Sequence, residues 1–220
     1  MAFIQERDRP EVKRILEGVH EPVELVIFTE KTACQYCEET RQLLMEVAEL
    51  SNRLTVIEYD LQEHRAEAEA FRVDKAPGIV IKTEMDYGVR YYGIPLGYEF
   101  GSLMEDIVDV SKGDAGFSPD QLEKIEAIRN PVHLQVFVTP TCPYCPAAVR
   151  NAHRMAIANP LIRADMIEAT EFPGLSRKFG VRGVPRTMVN ADFNIDGGLP
   201  DDVFINQVTE YIQTQTGATA

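Results

Sequence analysis

The chain has no tryptophan, four histidines and four cysteines in 220 residues. It has no long apolar run. Stretches such as Leu25-Val26-Ile27-Phe28 are far short of the roughly 20 residues that cross a bilayer. Positive charge is scarce: 22 Lys and Arg stand against 35 Asp and Glu, for a net charge of −13. Such a surface repels phosphate backbones and anionic lipid, so neither a nucleic-acid nor a membrane partner is expected. The opening segment, Met1 to Arg14, mixes charges early and does not read as a signal peptide. A soluble, cytoplasmic protein is expected. The 45% hydrophobic and 26% charged fractions are those of an ordinary globular chain, which argues against a mostly disordered one.

The cysteines fall in two pairs, Cys34-Gln35-Tyr36-Cys37 and Cys142-Pro143-Tyr144-Cys145. A disulfide-stapled secreted domain would spread them out. Paired Cys-x-x-Cys motifs in a cytoplasmic protein point to redox or zinc chemistry. The pairs also expose an internal repeat. Cys34 and Cys142 are 108 residues apart, as are Tyr36 and Tyr144, Cys37 and Cys145, and Pro77 and Pro185. Gly93-Ile94-Pro95 has a looser counterpart in Gly198-Leu199-Pro200. The small, polar segment from Ser111 to Gly116 is the natural joint. It divides the chain into units 1–115 and 116–220.

Each unit reads in the same order. Val12, Ile15, Leu16 and Val19, and then Leu122, Ile125 and Ile128, have helical spacing. Ser118, Pro119 and Gln121 are placed as a helix cap and capping box. A strand follows in each unit. Val23 to Phe28 is continuously apolar, as a strand covered on both faces would be. Val132, Leu134, Val136 and Val138 alternate along one face. Next come the cysteine pair, a second helix, a second strand and a short helix leading to the proline. A strand, with a hairpin partner at Val89 to Tyr92, and a closing helix complete the order. The predicted class is α/β: two tandem thioredoxin-like folds, each a mixed sheet flanked by helices.

Thiolate is the reactive form of cysteine, and a helix N-terminus stabilises it. Pro143 and Pro146 fit a helix only in its first turn, which predicts a helix starting within a residue or two of Cys142. The pair's spacing allows a small reversible disulfide. Cys34 and Cys142 are then the exposed attacking thiols, and Cys37 and Cys145 resolve the mixed disulfide. The matched Pro77 and Pro185 are expected to be cis. They would hold the Ala76 and Val184 backbones ready to pair with an extended substrate. Tyr36 and Tyr144 are candidate contact residues beside the thiols.

On these motifs the chain resembles the glutaredoxin-like protein disulfide oxidoreductases of thermophilic archaea and bacteria, over essentially its whole length. The resemblance implies dithiol–disulfide exchange on protein substrates, by reduction, oxidation or isomerisation. It implies no bound cofactor, with electrons from an NADPH-dependent flavoprotein of the thioredoxin reductase kind. The chain departs from the wider thioredoxin pattern in lacking Trp-Cys-Gly-Pro-Cys. Thioredoxin's buried acid, six residues before the first cysteine, is replaced by Phe28 and Val136. Glu58, Asp60 and Glu168 are the candidate proton acceptors.

Two rivals follow from the same motifs. One is a four-thiolate structural zinc site. The other is an electron-delivery module for a peroxidase or reductase system, like the tandem module of bacterial peroxiredoxin reductases, which keeps one cysteine pair. His20, His64, His133 and His153 have no ligand spacing with the cysteines and are expected at the surface or at edges. Lys31 and Arg150 are expected as exposed charges, and Glu63 to Glu69 as a solvated helix face.

Overall fold

The computed structural model describes residues 2–32 and 34–217. In the first half, α1 (Arg9–Leu16), β1 (Val23–Thr29), α2 (Cys37–Ala48) and β2 (Leu54–Asp60) come first. They are followed by α3 (Arg65–Ala70), β3 (Gly78–Lys82), β4 (Asp86–Tyr92) and α4 (Tyr98–Lys112). The second half repeats the order with α5 (Pro119–Glu126), β5 (Val132–Val138), α6 (Cys145–Ala158) and β6 (Ile162–Glu168). It closes with α7 (Pro173–Lys178), β7 (Arg186–Val189), β8 (Phe193–Asp196) and α8 (Asp201–Gly217). Strand β8, four residues long, was not visible in the sequence pattern.

The cap signals hold. Ser118 Oγ accepts from the Gln121 N–H, and Gln121 Oε1 accepts from the Ser118 N–H, closing the capping box at the start of α5. The same Gln121 donates to Asp202 and so ties α5 to α8.

The two halves do not keep separate sheets. Their strands form one eight-stranded sheet in the order β2-β1-β3-β4-β6-β5-β7-β8. The join is β4 running parallel to β6, with Val89 opposite Ala164 and Tyr92 opposite Ile167. Strand β5 lies inside the sheet, between β6 and β7. Gln135 and Phe137 are buried as well as Val132, Leu134, Val136 and Val138, so the one-sided reading of this strand is corrected. Tyr91, on β4, joins the larger core beneath α4 and α6. Tyr92 points into a smaller core on the opposite face.

A polar seam crosses the join. Arg163 on β6 donates to Asp165, to the Tyr92 hydroxyl and to the Arg72 carbonyl. His133 Nε2 lies 2.7 Å from Asp165. Burial opposes a charge on Asp165, yet the hydrogen bond from His133 and the charge of Arg163 hold its pKa well below the carboxylate range. No described helix is long and apolar enough to cross a membrane.

Candidate redox site

Both cysteine pairs are disulfides, each with its Cα atoms 5.5 Å apart, a normal separation for the bond. Each sits where a strand hands over to a helix. Cys37 opens α2 after β1, and Cys145 opens α6 after β5. Helix α6 thus begins at Cys145, one residue beyond the range the prolines suggested, and α2 likewise begins at its second cysteine, with Tyr36 and Tyr144 as the capping residues. The leading cysteines lie just before the helix, where its first N–H groups remain unpaired.

Both X-Pro bonds are cis, at Ala76-Pro77 and Val184-Pro185. Register explains why they meet the cysteines. Gly78 pairs with Phe28 at the end of β1, and Arg186 with Phe137 near the end of β5. The prolines therefore lie beside the strand ends from which the cysteine loops depart. In the second half the contact is direct, with Cys142 Sγ 3.7 Å from the Val184 carbonyl oxygen.

The two sites are not equally open. Cys34 is half-buried and Cys37 is 8% exposed. Cys142 is 7% exposed and Cys145 is sealed, so the expected exposed tip at Cys142 is not what the disulfide form presents. Tyr144, at 69% exposure, stands out beside it, whereas Tyr36 is half-buried.

Strands β1 and β5 are parallel through the chain of pairings, so both disulfides open on one edge of the sheet. Four strand spacings separate them, roughly 19 Å at about 4.8 Å each. One tetrahedral zinc needs all four sulfurs at about 2.3 Å from a common point. Two separate disulfides on non-adjacent strands do not meet that condition, so the single four-thiolate site is ruled out by topology.

The acid candidates divide. Glu58 and Asp60 line a cavity of about 490 Å³ together with Cys34 and Cys37. Glu58 accepts from the Thr29 hydroxyl. Asp60 accepts the backbone N–H groups of Glu63 and Gln62, which hold its pKa below the usual value. Glu168 ends β6, opposite Val138 at the end of β5, from which the Cys142 loop departs. It accepts from Thr170 and from the Glu171 N–H, and its β-carbon crowds Gly93, the residue after β4. Phe28 and Val136 are fully buried apolar residues.

The structure brings in residues the sequence did not suggest. Glu99, in the first turn of α4, is 1% exposed, and burial pushes its pKa up to about 7. Neither of its carboxylate oxygens finds a donor in good geometry, and the Ser102 hydroxyl gives only partial relief. Glu99, Ser102 and Asp106 form one stripe of α4 at helical spacing. Asp106 meets Arg150 and His153 of α6. One end of the stripe is thus fixed to α6 at Arg150. The other end is fixed at the cysteine loop, where Tyr98 donates to the Pro140 carbonyl. Glu99 therefore lies level with the start of α6. The clue in the sequence was three polar side chains at i, i+3 and i+7, a spacing that puts them on one face of α4.

Two further expectations are corrected. Arg150 is not an exposed charge but is largely buried among Glu105, Asp106 and Asp109. His153 is fully buried, with burial driving its pKa down to about 3, and His64 lines the cavity at the first cysteine pair.

Residues 132–210 match the thioredoxin domain family. The fold aligns with a protein disulfide oxidoreductase from Aeropyrum pernix K1 at a TM-score of 0.88 and 29% identity, covering 96% of this chain and 94% of that one. This is a tandem thioredoxin-fold protein. The tandem fold also aligns with the NTD_N/C domain of alkylhydroperoxide reductase AhpF from Enterococcus faecalis, at a TM-score of 0.86 and 23% identity, covering 93% and 99%. In sequence the chain is 26% identical to the alkyl hydroperoxide reductase AhpF of Pseudomonas putida over 210 residues, which is 96% of this chain. It is 33% identical to the AhpF of Staphylococcus epidermidis over 134 residues, 61% of this chain. The chain spans about a third of the P. putida relative's length and a quarter of the S. epidermidis one's, at 37% and 24%. Two Cys-x-x-Cys disulfides on tandem thioredoxin folds are an apparatus for thiol–disulfide exchange.

Proposed function

We propose that this protein is a protein disulfide oxidoreductase with two working sites, in units 1–115 and 116–220. Cys34 and Cys142 attack a substrate disulfide as thiolates, and one substrate sulfur leaves as a thiolate. Cys37 and Cys145 then attack the mixed disulfide, forming the intramolecular disulfide and releasing the second substrate sulfur. Ala76-Pro77 and Val184-Pro185 supply backbone beside each sulfur for an extended substrate, and Tyr36 and Tyr144 border it. The observation that carries this reading is the same assembly occurring twice: a disulfide at a strand-to-helix junction beside a cis-proline loop. Glu99 takes the proton of Cys145 in the second unit. In the first unit Glu58 is the better acceptor, because backbone N–H groups hold Asp60 ionised. Glu168, opposite Val138 at the end of β5, is the other candidate acceptor in the second unit.

Electrons come from an NADPH-dependent flavoprotein, and the protein works in the cytoplasm. A second reading, delivery of electrons to a peroxidase, is favoured by the match to alkyl hydroperoxide reductase AhpF across 96% of the chain. Insulin-disulfide reduction separates the cases. The Cys34→Ser and Cys142→Ser variants should each retain activity, and the double variant should fall to background. Full activity in the double variant would refute the mechanism. Activity confined to a coupled peroxidase assay would favour the second reading.

A further inference from the structure

The two sites differ in the charge around the leading sulfur. The first turn of α6 carries no acidic residue, whereas that of α2 carries Glu38 and Glu39. The cavity at Cys34 adds Glu30, Glu58 and Asp60. Like charge disfavours a thiolate. Lys31, the one Lys or Arg among the described residues that line this cavity, is engaged by Glu63. A thiolate at Cys34 therefore needs another partner.

His64 is on that cavity wall with Cys34 and Cys37. Its Nδ1 lies 3.1 Å from the Asp60 nitrogen and 3.3 Å from the Asp60 carbonyl oxygen, and its ring lies 5.2 Å from that of Tyr59. The tautomer that accepts the Asp60 N–H, the shorter of these two contacts, carries the proton of the neutral ring on Nε2. The residue 108 positions later is Phe172, which caps α7 where His64 caps α3. The imidazole is thus peculiar to the half whose cysteine loop is surrounded by acid.

Building on the oxidoreductase reading, we propose that His64 holds the Cys34 thiolate by donating from Nε2–H, the role that the acid-free first turn of α6 fills for Cys142. No bond to His64 is made or broken. The groups facing it are Glu30 and Lys31 after β1, Glu38 on α2, Glu58 and Asp60 on β2, and the two sulfurs.

The test uses the full chain carrying Cys142→Ser and Cys145→Ser, reduced, with iodoacetamide alkylation of Cys34 followed against pH by mass spectrometry. His64→Asn keeps an acceptor for the Asp60 N–H and a good helix cap, but removes Nε2. It should move the alkylation midpoint up by about one pH unit. His64→Gln, whose amide nitrogen reaches the Nε2 position, should return it toward the parent. An unchanged midpoint in His64→Asn overturns the proposal. So does a shift that His64→Gln fails to reverse, because the loop rather than the donor would then be responsible. Insulin reduction by the parent reports separately on the underlying reading. An inactive parent overturns both, and an active parent with an unmoved midpoint overturns only the role of His64.

Discussion

The Tyr98 N–H donates to the Pro140 carbonyl at 3.2 Å, which plants the first turn of α4, from the first half, two residues before Cys142 of the second. Gly97 makes this approach possible. Its φ is +61°, and a β-carbon there would overlap the Pro140 carbonyl. Gly198 plays a similar part from the other side, against the Tyr144 carbonyl. The second site is therefore built jointly by both halves. Gly97→Ala should destabilise the protein by at least about 1 kcal/mol. It should slow exchange at Cys142 in a Cys34→Ser background, and leave exchange at Cys34 in a Cys142→Ser background near the parent rate. Equal rates at Cys142 with and without the substitution would contradict a shared site.

Glu99 gives a pH signature. Its pKa is raised in the folded state, to about 7 from an ordinary 4.5, so the folded protein binds the extra proton between those values and stability falls as pH rises through that window. Above pH 7 the full penalty applies, about 3 kcal/mol. Glu99→Gln should therefore be more stable than the parent in urea at pH 8 and about equal to it at pH 4. If Glu99 takes the proton of Cys145, the same variant should slow resolution of a mixed disulfide at Cys142. Parallel stability curves at both pH values would show that Glu99 is not a strained acid.

Arg163 tests the join between the halves. It is the cation beside the fully buried Asp165, and it also reaches Tyr92 and Arg72 across the seam. Arg163→Met leaves Asp165 with His133 alone, and removing one partner of a buried pair costs about 3–5 kcal/mol. The depressed pKa of Asp165 stabilises the fold above its unfolded pKa, and that stabilisation is lost as pH falls below it. The loss in Arg163→Met, read by urea unfolding, should thus be large at pH 7 and should shrink toward pH 3. A loss under about 1 kcal/mol at pH 7 would show that the seam behaves as a surface pair.

Much of this architecture was legible because it rests on local rules. The 108-residue register marked both cysteine pairs and both prolines. Ser118 and Gln121 announced the start of α5, and β5 was placed at Val132 to Val138. What the sequence hid was long-range. Nothing local says that Val89 to Tyr92 will pair with Ala164 to Ile167 and merge two sheets into one. Without that join, Arg150 reads as a free cation and Glu99 as an ordinary helix acid. The burial of Cys142 also depends on contacts that no single segment encodes, the Val184 loop among them. His64 has no metal-ligand spacing to the cysteines, and a hydrogen-bond donor to sulfur needs none.

In the proposed mechanism Cys34 and Cys142 are the sulfurs that join covalently to substrate. Resolving-cysteine variants, Cys37→Ser and Cys145→Ser, incubated with a disulfide-containing protein and analysed by non-reducing mass spectrometry, measure this directly. The expected result is an accumulating mixed disulfide mapped to Cys34 in the first variant and to Cys142 in the second. No adduct in either, or adducts mapped only to Cys37 and Cys145 in the reciprocal Cys34→Ser and Cys142→Ser variants, would contradict it.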